Sequence, residues 1–265
     1  GLGPAGQPVP IRFGGKLTGK IGSGNVGFVN VQTGDSQFGV GQNFSAFRWK
    51  QDVLERSSVG ALATNVQGPD GQYNRVFGVD IDFTFFDHLF VSGFMAGAQD
   101  NDLEGTSWAG QFSAGWDTEA WGLGGDVTYI DNEFDTDLGF ILRRDIVRTS
   151  AQGRWSLRPS WPLLRRVSLS PSLERITDTS GRLVSRIGSF NSRFDLESGE
   201  IVRFSIKQNY DLLDFDFPID DSVSILIGDY SWTDGSITLR TAPRRALSGN
   251  LTFNLGEFYD GTRFG

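Results

Sequence analysis

Apolar residues recur at every second position in stretch after stretch of this chain. Phe77, Val79, Ile81, Phe83 and Phe85 alternate with Gly78, Asp80, Asp82 and Thr84, and Val202, Phe204 and Ile206 alternate with Arg203, Ser205 and Lys207. Successive side chains of a strand point to opposite faces, so this period predicts a sheet with one apolar and one wet face. The runs extend over about nine to twelve residues, where an ordinary soluble strand has about five or six. A tilted strand that crosses a bilayer needs about 9–11. The pattern therefore points to a transmembrane β-barrel, the sheet structure that leaves no unpaired backbone edge in lipid.

The pattern reads as strands over 11–21, 26–32, 44–56, 57–64, 75–86, 89–98, 106–117, 121–130, 140–158, 166–177, 182–196, 200–212, 222–233, 236–241 and 246–255. Connections alternate between long (65–74, 99–105, 131–138) and tight (Asp87-His88, 118–120), as when one barrel rim carries turns and the other loops. Every connection is too short for a helical crossover, so the expected fold class is an all-β antiparallel meander of roughly 14 strands. A large sandwich or propeller also alternates apolar and polar residues. Strand length, the aromatic-rich apolar face and the loop asymmetry favour the membrane barrel over either.

Composition is consistent with this. Glycine is high at 35 residues, and phenylalanine leads the aromatics with 22, beside seven tryptophans. No linker divides the 265 residues, so one barrel domain over 1–265 is expected, with a loop-like lead-in over 1–10. There is no cysteine, which excludes disulfides, thiolate metal sites and a cysteine nucleophile, and the single histidine, His88, leaves little for histidine chemistry. A net charge of −8 argues against nucleic acid as a partner. No apolar run is long enough for a membrane helix, and no signal peptide opens the chain. The expectation is a segment excised from a longer, exported protein.

The wet face supplies the candidate site. Arg48, Lys50, Asp80, Asp82, Asp126, Arg148, Arg154, Arg203 and Lys207 fall on polar positions of their strands and are expected to line a lumen, where opposite charges pair or tune a pore. Asp80 and Asp82, about 7 Å apart by strand rise, have the spacing of a glycosidase pair. The cations on the same face argue against catalysis, and no enzyme is expected. Gly22-Ser23-Gly24-Asn25-Val26-Gly27 matches a dinucleotide loop, but a strand follows instead of a helix, so it reads as a hairpin turn. Acidic loops occur at Asp100-Asn101-Asp102 with Glu104, at Asp131 and Glu133 with Asp135 and Asp137, and at Asp214, Asp216, Asp220 and Asp221. Clustered carboxylates can hold calcium, and the set Asp131, Glu133, Asp135 and Asp137 is the candidate, although none has a calcium-loop spacing. No other cofactor is expected. Trp108, Trp116, Trp121, Tyr129, Trp155, Tyr210, Tyr230 and Trp232 are expected mostly on the apolar face near strand ends, as interfacial girdles rather than sugar platforms.

Several strings together resemble a known family. They are Gly15-Lys16-Leu17-Thr18-Gly19-Lys20, Ser58-Val59-Gly60-Ala61-Leu62-Ala63-Thr64, Asn74-Arg75-Val76-Phe77-Gly78-Val79-Asp80, Gly139-Phe140-Ile141-Leu142-Arg143-Arg144-Asp145 and Gly256-Glu257-Phe258-Tyr259-Asp260-Gly261. The chain resembles an uncharacterised family of predicted outer-membrane barrels of Gram-negative bacteria, whose members often carry an N-terminal family-9-type carbohydrate-binding module. That resemblance implies an outer-membrane location, lipid as a partner and oligosaccharide or another small polar solute as a ligand. The binding module is absent here, and the family's barrel continues beyond the last of these strings, so a partial barrel is expected. The functional expectation is a porin-like pore, or a transport or surface-handling protein for small polar solutes. The alternative is a structural barrel with a blocked lumen that anchors a binding domain or partner complex.

Overall fold

The computed structural model describes residues 9–36, 39–220 and 223–265. Most of the expected lead-in, Asp221, the side chain of Asp220 and Ser222 lie outside the described residues. The strands are β1 (Ile11–Ile21), β2 (Gly24–Thr33), β3 (Asn43–Leu54), β4 (Ser57–Gln67), β5 (Tyr73–Phe85), β6 (Leu89–Asp100), β7 (Ser107–Asp117), β8 (Trp121–Ile130) and β9 (Ile146–Leu157). They continue with β10 (Leu164–Thr177), β11 (Leu183–Leu196), β12 (Ile201–Leu213), β13 (Phe217–Asp220), β14 (Val223–Ile225), β15 (Gly228–Arg240), β16 (Asn250–Phe258) and β17 (Gly261–Phe264). No α-helix occurs among the described residues. Fifteen strands form one antiparallel meander in chain order, and β13 and β14 form a separate hairpin. The order has two ends, at β1 and β17.

The meander follows from short connections, which return each strand beside its predecessor. Tight connections at 22–23, 55–56, 86–88 and 118–120 alternate along the chain with longer ones at 34–42, 68–72, 101–106 and 131–145. The turn 86–88 is tight because Phe86 and Asp87 both take left-handed backbone angles (φ 52° and 62°).

Several expected boundaries are corrected. The strand expected over 140–158 begins at Ile146, because 140–145 belongs to a loop. Of the strand expected over 222–233, Val223–Ile225 form β14, and the part from Gly228 joins the short strand expected over 236–241 in one continuous β15. The strand expected from 246 begins at Asn250, and β13 and the terminal β17 had no counterpart in the sequence reading.

By contact density the chain divides into Gly1–Ser113 with Thr128–Ile146 (unit 1) and Ala114–Val127 with Val147–Gly265 (unit 2). Few apolar side chains are buried. Unit 1 holds a small cluster of Val76, Ala98, Ala109 and Phe134, with Ala96, Ile130 and Ile141 against it. Most large apolar groups are exposed instead: Leu17, Val79, Leu123 and Leu173 are 69, 61, 61 and 51% exposed.

Candidate functional site: the polar face of the sheet

Residues paired across an antiparallel ladder share a face, so register assigns the faces within each unit. In unit 1, Lys50 lies opposite Gly60 and Gly60 opposite Asp80, while Asp52, Ser58 and Asp82 form the next row. Arg48 is on the same face, and all four unit 1 candidates therefore lie together. Arg48 holds Asp80 in a two-pronged ion pair: Nη2 donates to Oδ1 at 2.8 Å and Nη1 donates to Oδ2. The pair spans from β3 to β5, across β4. A Cβ on Gly60 would lie 2.6 Å from Asp80 Oδ2 and 2.7 Å from both Arg48 nitrogens. The missing side chain on the middle strand is what lets the arginine reach over it. With Asp80 committed to Arg48, it does not form a free acid–base pair with Asp82.

The loop 131–145 packs onto the same unit. Phe134 sits in the apolar cluster on Val76, Ala98 and Ala109, with Ile141 beside it. Asn74 Nδ2 donates to the Asp135 carbonyl at 3.3 Å, and the Asp137 N–H donates to Asn74 Oδ1 at 3.2 Å. Arg144 pairs with Asp135 at 2.6 Å. A polar cleft of about 260 Å³ lies here, lined in part by Asn74, Asp100, Asp102, Asp135 and Asp137. Burial, then Asp135 and Asp100, push the Asp137 carboxyl above its ordinary value. The expected calcium set is not assembled: Asp131 accepts from the Tyr129 hydroxyl at 3.0 Å, and Asp135 is held by Arg144. Among the described residues no three His, Cys, Asp or Glu side chains are arranged to hold a metal.

In unit 2, Arg148 bridges neighbours on both sides. Its Nη1 donates to Asp126 at 3.0 Å and its Nε to Glu174 at 2.8 Å, and Ser150 also donates to Asp126. Arg154 on β9 reaches Asp117 on β7 at 2.5 Å. Here too the middle strand carries a glycine, Gly122, whose Cβ would lie 2.6 Å from Asp117 Oδ1. Arg203 lies opposite Arg193, which donates to the buried Asp195 at 2.7 and 2.9 Å. Lys207 lies opposite Asp234, which accepts from Asn209 at 2.8 Å. Hydroxyls extend the same rows, with Ser172 against Ser189 at 2.7 Å in the row of Lys207 and Thr238 against Thr252 at 3.1 Å in the row of Arg203. Register, and for Asp126 its bond from Arg148, put every unit 2 candidate on one polar face. Sequence reasoning missed Asp117 and Glu174, the partners of Arg154 and Arg148, and the neighbouring Asp195 and Asp234, since pairing depends on register. The one available signal was glycine at otherwise alternating positions.

The opposite face carries the apolar side chains. Trp108, Trp121, Tyr129 and Trp155 are exposed there, and Trp116 stacks on Trp121 with ring centroids 6.3 Å apart. Two aromatics depart from expectation. Tyr230 lies opposite Asp211, and Trp232 opposite Asn209, on the polar face. Trp232 stacks on Tyr259 with centroids 4.5 Å apart, and the Tyr259 hydroxyl donates to Asp211 at 2.9 Å. Burial first, and then that bond to a carboxylate, push the Tyr259 hydroxyl up to about 12.

An extended, paired, polar face backed by an exposed apolar face is the arrangement of a membrane-spanning sheet. No family model matches this chain, and no curated protein or solved structure matches it.

Proposed function

We propose that this chain is an outer-membrane β-barrel, or a large part of one, whose polar face lines a passage for small polar solutes and which catalyses no reaction. The observation that carries this reading is the inversion of the two faces. Arg48–Asp80 and Asp126–Arg148–Glu174 are half-buried and matched, while Val79 and Leu123 on the other face are mostly exposed. In water that placement wastes the hydrophobic effect; against hydrocarbon the exposed apolar rows and the paired charges both find matching surroundings. The reading requires the edges of β1 and β17 to be paired, because lipid tolerates no open backbone edge. Resemblance to outer-membrane barrels supports the same location. The Trp232–Tyr259 stack beside Asp211 and Asn209 supports a saccharide among the solutes, since sugar rings pack on aromatic faces and hydrogen-bond to carboxylates and amides.

The test is single-channel recording from the protein in planar lipid bilayers. Discrete steps are expected, and Arg148→Glu or Arg203→Glu should shift the reversal potential in a salt gradient toward cation preference. Silence from a folded, inserted protein would overturn the pore. The second reading, an anchoring barrel with a blocked lumen, is favoured by one observation: the loop 131–145 is docked on the polar-face residues Val76 and Ala98 through Phe134.

A further inference from the structure

Near its margin the apolar face of unit 2 carries a row that contains no acid, and Asp229 follows in the next row, on β15. Across β9, β10, β11, β12 and β15 the paired residues are Thr149, Arg175, Arg186, Tyr210 and Ser231. Arg175 and Arg186 lie directly opposite one another, and both are exposed. Neither makes an ion pair among the described residues. Like charges facing each other across a ladder are destabilising, and no ion pair among the described residues offsets this one. Arg75 on β5 offers a contrast: its Nε donates to Asn65 at 3.0 Å and its guanidinium lies 4.4 Å from the Tyr73 ring. Arg175 and Arg186 have no such partner among the described residues.

The surroundings define the missing anion. Two guanidiniums flanked by hydroxyls on both sides form a donor set that matches the oxygens of a phosphate. On the same face, toward the apolar side, lie Leu173 and Gly188. A Cβ at Gly188 would meet nothing within 4 Å, so the approach is open. Four residues along β11 from Arg186, about 13 Å at strand rise, Phe190 borders an apolar groove of about 470 Å³ shared with Phe204, Ile206, Gly235 and Ile237. Phosphate donors at the margin of an apolar face, with a groove beyond them, match an amphiphile with an anionic head and a hydrocarbon tail.

We infer that the Arg175–Arg186 pair holds the phosphate headgroup of an anionic membrane lipid, whose acyl chain lies along the Phe190–Ile206 groove. This inference rests on the reading that the apolar face contacts lipid. Native mass spectrometry of the detergent-solubilised protein, mixed with phosphatidylglycerol or phosphatidylcholine, tests it. Phosphatidylglycerol should be retained in preference, and Arg175→Gln with Arg186→Gln should lower that retention about tenfold, as expected for lost charged hydrogen bonds. Arg186→Lys, which keeps the charge and loses the fork, should give an intermediate loss. Equal retention of the two lipids, or no effect of the double substitution, would overturn the site. So would occupancy by inorganic phosphate alone at comparable concentration, which would make it a plain anion site. Insertion into phosphatidylcholine vesicles, measured by protease protection in parallel, separates the two layers. A protein that inserts without lipid preference loses the headgroup site and keeps the membrane reading, whereas one that does not insert loses both.

Discussion

Two carboxyl groups in the connecting loops titrate in opposite directions, and each reports on its own loop. Asp137 is raised above its ordinary value of 3.8 by burial and by Asp135 and Asp100. The folded loop therefore binds its proton more tightly than the unfolded chain does, and stability falls as pH rises through that raised value. Amide exchange in 131–145 should slow as pH is lowered from neutral toward the acid range, after correction for intrinsic exchange, and Asp137→Asn should give the slower exchange at neutral pH. Asp178 behaves inversely. A bond from the Ser180 hydroxyl, and then those from Arg182, hold it down to about 2. Its contribution is complete above 3.8 and is lost as pH falls from there toward 2. Asp178→Asn should loosen the 178–182 turn at neutral pH and remove its acid sensitivity. Neither behaviour was legible in the sequence, where both residues are loop acids. What separates them is whether the fold supplies a hydroxyl and a guanidinium, or burial and two more carboxylates.

At the scale of strands, the ion pairs that cross a whole strand depend on a residue with no side chain. Gly60 lies under Arg48–Asp80, and Gly122 lies beside Asp117 where Arg154 arrives. In wild-type protein a double-mutant cycle on Arg48 and Asp80 should read about 0.5–1 kcal/mol of coupling, as for part-exposed pairs. On a Gly60→Ala background the coupling should vanish, because the new methyl occupies the path of the guanidinium. Undiminished coupling would mean the arginine has another route. The strand errors have equally local causes. Asp234-Gly235 reads as a break, yet β15 runs through it because Lys207 and Ile206 supply its ladder partners. Phe140-Ile141-Leu142 reads as a strand start, yet Ile141 packs on the Phe134 cluster and the segment stays in the loop.

For the molecule as a whole, the membrane reading makes a prediction that a water-soluble sheet would contradict. Val79, in the middle of the outward apolar rows, should not tolerate a charge: Val79→Arg should cost about 2–4 kcal/mol of folding into vesicles, as for a cation at mid-membrane. On a water-facing surface the same change would stay within about 0.5 kcal/mol. Denaturant titration of vesicle-folded protein distinguishes the two. The sequence alone was enough to determine that the chain is all-β, that its strands run as an antiparallel meander and that each has one polar and one apolar face. Alternation of side chains is a property of the extended backbone itself, and short connections leave no other pairing. Only the tertiary structure decided which cation meets which carboxylate, where Tyr230 and Trp232 point, and that the 131–145 loop packs against its neighbours. Those outcomes depend on register and on contacts between residues far apart in the chain, which no local period encodes.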